Sequence, residues 1–495
     1  MSVVCSLQNT SQEFQKKIID TFTVRSQKMN KGKMVFGEPM KLYQVSDDKK
    51  WVSLPFFEGR KLFKPSKIYS YAPLQPDRPH MAFTGTLRET EKQDQVSAMA
   101  EALPMLMENS CITLAMRTGF GKGSFALSLI NHIKKRALVV LCKTAIAPNW
   151  LGDASAYTNN KLLVIESTKQ TEIPEDVDIV ICMDTRLCAI PEDKINTFGT
   201  LVLDEAVDFC TLKRYTALMR FHPQKVIIAS ATPTRSSDGL HCMLELMVGT
   251  HKIVRINQDP FTVIKLTTDV VPNTIETSVG VDWSFLSYDL YLNERRNRIL
   301  LDCVYANMED HKILILTEYQ VHVELLFDLF KLYSVDVTRY AGSQKSYTEA
   351  RVLIGGAKKV GVGFDQLGSC PTFDGVRIDL VIFVSSTKQE ELLLQYLGRA
   401  FRSENPSIIH FVDNDRRLKN HWRVSVPVYE KVKGVITEAK WDKPYFVTDD
   451  ALFKRRHNEC LKKTLETLDN KKQVPVYADV LRERLIKDGI IPQVD

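Results

Sequence analysis

Short apolar runs rich in β-branched residues recur through the central part of the chain, separated by polar or helix-like stretches. A first series consists of six runs, which begin at residues 111, 137, 161, 178, 200 and 225. A second series begins near residue 312 and consists of KILILTE, VDVTRYA, RVLIGGA, DLVIFVS and SIIHFVD. Runs of this length predict buried strands, and their alternation with helices predicts parallel sheets covered on both faces.

The two series divide the chain into two predicted α/β domains. We place the first at 81–255 and the second at 256–425. Residues 1–80 show weaker periodicity and are predicted to form an N-terminal extension. Residues 426–495 contain FKRRHNECLKKTLETLDNKK and are predicted to form a basic, helix-prone C-terminal tail.

Composition narrows the class of protein. The 495 residues are 44% hydrophobic and 25% charged, which is typical of a soluble globular protein, and the net charge of +6 permits a nucleic-acid partner without requiring one. No apolar run approaches 18 residues, and the N-terminus lacks the layout of a secretion signal, so no membrane partner is predicted. The ten scattered cysteines contain no C-x-x-C pair, which predicts reduced thiols, no structural zinc and an intracellular (cytoplasmic or nuclear) protein.

The stretch MRTGFGKGSF, residues 116–125, is close to a phosphate-binding loop. It follows a predicted strand and precedes a predicted helix, as the pattern G-x-x-x-x-G-K-[ST] requires. Gly121 and Lys122 fit that pattern, and Gly119 lies two residues before Gly121. Gly123 stands where the Mg²⁺-binding hydroxyl is usual, and Ser124 comes one residue, about 100° around a helix, too late. The alternative is a glycine-rich turn with an exposed lysine.

Three further segments could act on a bound nucleotide. The run TLVLDE ends in Asp204 and Glu205, which suit metal binding and activation of a water, or form only an acidic turn. Ser230 opens SATP, which by itself indicates a capped turn. Arg399 and Arg402 lie three residues apart in QYLGRAFR. On a predicted helix they share a face, where they suit a phosphoryl group or remain solvated.

The order of these segments resembles that of superfamily 2 helicases. GFGK corresponds to motif I, DEAV to motif II, SATP to motif III and QYLGRAFR to motif VI. VVLCKTAIAPNW resembles motif Ia, KILILTEYQVHVELL motif IV and VGVGFD motif V, so the resemblance covers about residues 85–415. Within the superfamily the chain is most similar to the poxvirus-type helicases of large DNA viruses, which are related to the XPB/UvsW kind and resemble DNA-dependent ATPases of viral transcription and transcript release.

The resemblance implies two tandem RecA-like domains that bind ATP and Mg²⁺ between them. It assigns ATP binding to Gly119, Gly121, Lys122, Gly123, Ser124, Gly363 and Asp365, and Mg²⁺ to Asp204. It assigns catalysis to Glu205, Gln395, Arg399 and Arg402, nucleic-acid contact to Lys143, Thr144 and Thr232, and coupling to Ser230 and Thr232. An adenine-reading glutamine would be Gln93 or Gln95, although either could lie on a solvated helix face.

The implied function is an ATP-dependent helicase or translocase, acting on DNA in viral transcription or genome maintenance. We expect a monomer that meets the transcription machinery and, if viral, is packaged in the virion. Three positions depart from the family pattern: Gly123, Val207 in motif II and Val362 in motif V. These departures keep open a catalytically degenerate helicase-fold scaffold that only binds nucleic acid or a transcription complex. An RNA-directed helicase is a further alternative.

Overall fold

The protein consists of two compact units, Met1–Asn257 and Gln258–Asp495. Their structure is known from a computed structural model that describes residues 1–30, 33–90, 93–169, 172–234, 238–278, 280–361, 364–441, 446–469, 475–489 and 491–492. The division falls two residues beyond the position, 255/256, at which the sequence pattern changes. Within the described residues, no helix combines the length and apolarity needed to cross a membrane.

A parallel seven-stranded sheet forms the centre of the N-terminal unit. Its strands are β1 (Cys111–Met116), β2 (Ala137–Leu141), β3 (Leu162–Ile165), β4 (Ile179–Met183), β5 (Thr200–Asp204), β6 (Lys225–Ser230) and β7 (Lys252–Arg255). They lie in the order β3-β4-β2-β5-β6-β1-β7. The main helices of the unit's α/β part are Gln95–Asn109, Lys122–Ile133, Ala147–Tyr157, Glu192–Ile195, Leu212–Leu218 and Cys242–Val248.

Alternate residues of each strand enter two different apolar clusters. In β5, Leu201 and Leu203 belong to one cluster, whereas Val202 between them belongs to the other. Successive side chains of a strand point to opposite faces, so both faces of the sheet are covered. This double burial explains why the strands are continuous apolar runs rather than alternating ones.

Residues 1–80 add a small antiparallel sheet to one face of this unit. Strand Ser2–Ser6 pairs with Trp51–Pro55, which in turn pairs with Gln44–Val45. Side chains such as Val3 and Leu54 join the apolar cluster that covers that face of the parallel sheet. The extension and the adjoining loop also contain the α-helices Gln12–Thr21 and Phe56–Leu62, the 3-10 helices Pro65–Lys67 and Ala72–Leu74, and three strand pairs: Thr23–Val24 with Met40–Lys41, Gln27–Asn30 with Lys33–Phe36, and Glu89–Thr90 with Gln93–Asp94.

The C-terminal unit contains a second parallel seven-stranded sheet. Its strands are β8 (Phe261–Thr267), β9 (Ile313–Thr317), β10 (Val337–Tyr340), β11 (Val352–Gly356), β12 (Leu380–Phe383), β13 (Ser407–Val412) and β14 (Gly434–Lys440). Their order is β10-β11-β9-β12-β13-β8-β14. Counted from the first strand of each sheet, both orders are 3-4-2-5-6-1-7. The two units are therefore tandem RecA-like domains, as the sequence predicts.

The second sheet is also covered on both faces. Its helices are Trp283–Leu292, Glu294–Tyr305, Gln320–Leu332, Ala357–Val360, Gln366–Ser369, Glu390–Leu397, Arg416–Lys431, Asp450–Asp469 and Pro475–Lys487, and a short antiparallel pair joins Glu276–Thr277 to Gly280–Val281. Residues 426–495, expected to form a tail, supply the edge strand β14 and core side chains such as Phe453 and Leu461. A basic composition did not reveal this packing, because the charges occupy only the outer faces of these elements.

Candidate ATP and magnesium site

The glycine-rich loop leaves β1 and turns directly into the helix Lys122–Ile133. Gly119 and Gly121 have φ angles of +85° and +89°, in the left-handed region that other residues rarely adopt. Phe120 between them is buried, which fixes the loop to the core. The backbone N–H groups at the start of the helix are therefore presented at the carboxyl edge of the sheet, where such a loop binds phosphate.

Two glutamine side chains form hydrogen bonds with the backbone of this loop. The Gln95 amide donates from Nε2 to the Phe120 carbonyl over 2.6 Å, and its Oε1 accepts the backbone N–H of Arg88 at 2.9 Å. Gln93 donates from Nε2 to the Gly119 carbonyl over 2.9 Å. Gln95 is buried and Gln93 is half-buried, so neither lies on a solvated helix face. Both side chains act on the backbone of the phosphate loop.

The three residues after Gly121 differ in what they offer a nucleotide. Lys122 Nζ lies 3.3 Å from the Met116 carbonyl, so the ammonium group folds back over the loop. Ser124 Oγ donates to the Gly121 carbonyl over 3.0 Å, which engages its hydroxyl in the first helical turn. Gly123 carries no side chain. Neither Gly123 nor Ser124 therefore supplies the free hydroxyl that usually follows the lysine.

Asp204 is the last residue of β5, and both of its carboxylate oxygens are held. Oδ1 accepts the backbone N–H of Glu205 at 2.9 Å, and Oδ2 accepts the indole N–H of Trp150 at 2.8 Å. Asp204 and Trp150 are both buried. The tryptophan, which belongs to the segment that resembles motif Ia, was not predicted to have a role. No local pattern could have shown it, because 54 residues separate it from its partner.

Glu205 follows in a left-handed conformation with φ +51°, which is uncommon for a residue with a side chain. Backbone strain of this kind concentrates at functional sites. Burial raises the pKa of the Glu205 carboxyl above its ordinary value; the nearby Asp204 carboxylate adds to this increase, and Lys122 opposes it. A carboxyl with a raised pKa is suited to accept a proton from water.

Residues expected to contact nucleic acid follow β2 and β6 at the same edge. Lys143 Nζ forms an ion pair with Asp208 Oδ2 over 2.9 Å, and Thr144 beside it is exposed. Ser230 Oγ accepts the backbone N–H of Thr232 at 3.2 Å, and both side chains are buried. Thr232 therefore presents little surface in this unit, whereas Lys143 and Thr144 are accessible.

The two arginines of QYLGRAFR lie beyond the helix on which they were predicted. The helix ends at Leu397, and a tight turn follows Gly398, in which the backbone N–H of Arg399 bonds to the Tyr396 carbonyl. The expectation that Arg399 and Arg402 share a helix face is therefore wrong. Gly398 directly follows the last helical residue and keeps a right-handed backbone (φ −59°, ψ −10°), and glycine is unfavourable within helices.

Each arginine is held by the segment that resembles motif V. Arg399 is buried and donates to the carbonyls of Phe364 and Gln395. Arg402 pairs with Asp365, which also accepts Arg377 Nη1 at 2.9 Å. Burial alone would raise the pKa of Asp365, but the ion pairs with Arg402 and Arg377 outweigh it and lower that pKa. Gly363 and Val362 lie outside the described residues.

Comparison with known proteins finds similarity to helicases. Residues 94–239 match the DEAD/DEAH box helicase family. A protein of Invertebrate iridescent virus 6 named "Putative helicase 161L" is 26% identical over 387 residues, covering 72% of this chain and 84% of the viral protein. These matches support a superfamily 2 helicase. A relation to the poxvirus-type or XPB/UvsW helicases is not among these findings.

Two further similarities cover different extents of this chain. A protein of African swine fever virus (isolate Tick/South Africa/Pretoriuskop Pr4/1996) named "Putative ATP-dependent RNA helicase QP509L" is 26% identical over 136 residues, 26% of each chain. A solved structure of Mss116p bound to ssRNA and AMP-PNP covers 76% of this chain and 78% of its own, with 13% identity and a TM-score of 0.48. The helicase-matching range 94–239 contains the loop, Trp150, Asp204 and Glu205 described above.

Proposed function

We propose that this protein is a nucleic-acid-stimulated ATPase that translocates on nucleic acid or unwinds duplexes. The observation that carries the proposal is the convergence of one loop and two carboxylates at the edge of one sheet. The loop follows β1, the carboxylates lie at the carboxyl end of β5, and β6 lies between these two strands in the sheet. Gly119 and Gly121 shape an anion site, and Asp204 is held in a fixed orientation beside it.

The chain's own residues account for the steps of hydrolysis. Lys122 neutralises charge on the β- and γ-phosphates of ATP, and the loop N–H groups bind the same oxygens. Glu205 orients the attacking water and accepts its proton as the bond from the γ-phosphorus to the bridging oxygen breaks. By the family resemblance, Gln395, Arg399 and Arg402 would supply polar and cationic groups to the developing phosphoryl charge.

The residues present fit a magnesium ion shared with the nucleotide. Mg²⁺ is usually bound by one or two carboxylates, with phosphate oxygens and waters completing the octahedron. Within the described ranges, no three His, Cys, Asp or Glu side chains converge on a metal site of their own. Asp204 would hold the ion, and when bound the ion would neutralise charge on the triphosphate.

DNA is the proposed nucleic acid, with viral transcription or genome maintenance as the setting. The support is the resemblance of motifs I to VI to the helicases of large DNA viruses and the viral origin of the relatives. Lys143 and Thr144 would bind strand phosphates, and Thr232 and Ser230 would couple the strand to the nucleotide site. RNA is the second candidate substrate, favoured by the name of the African swine fever virus relative, "Putative ATP-dependent RNA helicase QP509L".

ATP hydrolysis with and without nucleic acid tests the proposal. The natural protein, Lys122→Ala and Glu205→Gln are compared with single-stranded DNA, duplex DNA and single-stranded RNA as activators. Stimulated turnover that both substitutions abolish supports the ATPase, and the better activator identifies the substrate. Nucleotide-independent binding of nucleic acid, with no turnover in any of the proteins, would instead favour the scaffold alternative that Gly123 and Val207 keep open.

A further inference from the structure

The space in front of Gly123 is occupied by a carboxylate. A Cβ atom built on Gly123 would lie 3.1 Å from Asp153 Oδ2, closer than nine in ten real Cβ contacts, and 3.9 Å from Trp150 Cε2. Gly123 is the second residue of the helix Lys122–Ile133, the position from which a serine or threonine hydroxyl usually reaches Mg²⁺. An oxygen of another residue therefore stands in the direction that the usual hydroxyl takes.

The helix Ala147–Tyr157 carries this carboxylate and the partner of Asp204 on one face. Trp150 and Asp153 are three residues apart, so their side chains are neighbours along the helix. Trp150 donates to Asp204 Oδ2, and its ring also faces Gly123. One helix thus connects the phosphate loop, the metal-binding aspartate and a second aspartate.

We propose that Asp153 supplies the oxygen ligand for Mg²⁺ that the residue after the loop lysine supplies in other proteins of this kind. The inference rests on the proposed ATPase function. Mg²⁺ prefers hard oxygen ligands and is commonly bound through one or two carboxylates plus substrate phosphates. Asp153 and Asp204 would be those two carboxylates. The glycine at position 123 then does not remove a ligand from the site. A side chain at this position would displace the Asp153 carboxylate, which takes the place of the usual hydroxyl.

The Asp153 carboxylate differs in charge from the hydroxyl that it would replace. A hydroxyl is neutral, whereas the Asp153 carboxylate brings a negative charge that must be offset when ATP enters. The site therefore depends on the divalent ion more strongly than a loop with a hydroxyl does. Nucleotide affinity should fall steeply when Mg²⁺ is chelated, and Asp153→Asn should remove part of that dependence.

The test measures binding of a fluorescent, non-hydrolysable ATP analogue to the full chain as free Mg²⁺ is titrated, and again in excess chelator. Asp153→Asn preserves shape and removes the charge. We expect its half-saturating Mg²⁺ concentration to rise about tenfold or more, the range seen when a group that supports a metal is removed. Asp176→Asn is the matched control, because this exposed aspartate of the same unit pairs with the surface lysine Lys161. It should leave the midpoint unchanged.

A swap separates ligation from a structural role. Asp153→Ala vacates the space, and adding Gly123→Ser restores an oxygen, so the double variant should recover most of the Mg²⁺ affinity that Asp153→Ala loses. The inference would be overturned if Asp153→Asn left the Mg²⁺ midpoint unchanged, or if chelator lowered nucleotide affinity as much in this variant as in the natural protein. The ATPase proposal would still stand in either case, provided that the natural protein binds nucleotide in an Mg²⁺-dependent way. A natural protein that binds no nucleotide would overturn both.

Discussion

The indole N–H of Trp150 donates a hydrogen bond to Asp204 Oδ2 over 2.8 Å, and both side chains are buried. The other carboxylate oxygen accepts the backbone N–H of Glu205. The orientation of the carboxylate is therefore fixed by the fold before any ion arrives. Such supporting hydrogen bonds orient a ligand and tune its affinity for the metal.

Removing the indole N–H of Trp150 should weaken catalysis. Trp150→Phe keeps an aromatic ring in the core but leaves Asp204 Oδ2 without its donor. A hydrogen bond to a charged group contributes about 1.5–3 kcal/mol, so a roughly tenfold to hundredfold loss of kcat/KM is expected. Steady-state ATP hydrolysis at saturating and limiting Mg²⁺ measures it.

The control for this substitution is Trp51→Phe, in the small sheet of residues 1–80, where the half-buried ring packs edge-on against Tyr69. It should leave hydrolysis intact. Equal activity of Trp150→Phe and the natural protein would show that Asp204 needs no buried donor.

Glu205→Gln should abolish turnover and stabilise the fold. General-base catalysis contributes about 10²–10⁴-fold, and that factor should be lost. Burial chiefly raises the pKa of Glu205, so its ionised form is unfavourable in the folded protein. The glutamine removes this cost. Tm should therefore be higher than that of the natural protein at neutral pH.

The Tm difference between Glu205→Gln and the natural protein should depend on pH. A group whose pKa is raised by folding contributes stability at low pH and loses it as pH rises through the folded-state pKa. The Tm difference should thus vanish towards the ordinary glutamate value of about 4.3. Hydrolysis by the natural protein should fall as pH decreases through the raised pKa. A Tm difference that grew in acid would contradict the assignment.

The sequence predicts the two sheets well because buried parallel strands are continuous apolar runs. The runs that become β1 and β5 are unmistakable, since helices cover both faces of each sheet. Short edge strands such as β7, and β14 within a basic segment, are less apolar and were not predicted. The C-terminal helices were likewise predicted to form a tail because their sequence is rich in charged residues.

The site is partly predictable for a related reason. Loop residues such as Lys122 act through local geometry, which a motif records. Contacts such as those of Trp150 with Asp204 and of Asp153 with the space at Gly123 join segments far apart in the sequence, and only packing brings them together. The helix ends at Leu397, before Arg399, and apolar periodicity does not show where a helix ends.

Gln95 and Gln93 should affect nucleotide binding to different extents. Gln95→Leu leaves the buried Phe120 carbonyl without its partner, at about 1–3 kcal/mol for a buried unsatisfied group, and also removes the acceptor of the Arg88 N–H. Gln93→Leu exposes a half-buried carbonyl that water can reach. Affinity for an ATP analogue should therefore fall more for Gln95→Leu than for Gln93→Leu.

Comparing ATP with GTP analogues shows what these glutamines do. Because both amides bond to the loop backbone, affinities for the two nucleotides should fall together. If a variant bound the ATP and GTP analogues equally well without binding nucleotide more weakly overall, the glutamine would instead contact the adenine base.

Lys143 and Asp208 should have opposite effects on nucleic-acid binding. Their ion pair, 2.9 Å long, engages the ammonium group proposed to bind strand phosphates. Lys143→Ala should weaken binding to single-stranded DNA uniformly across sequences and reduce the slope of log K against log salt by about 0.7, the value for one phosphate contact on a single strand. Asp208→Asn should strengthen binding, because it removes the competing carboxylate.

Fluorescence anisotropy over a range of salt concentrations measures both effects, and the double variant decides their cause. If Asp208 acts only by holding Lys143, Asp208→Asn should change nothing once Lys143 is alanine. Lys161→Ala is the control, because Lys161 also pairs with an aspartate but precedes β3 at the amino edge of the sheet, away from the proposed strand path. Tighter binding by Asp208→Asn in the absence of Lys143 would mean that Asp208 repels phosphates directly, and Lys143 would lose its assignment.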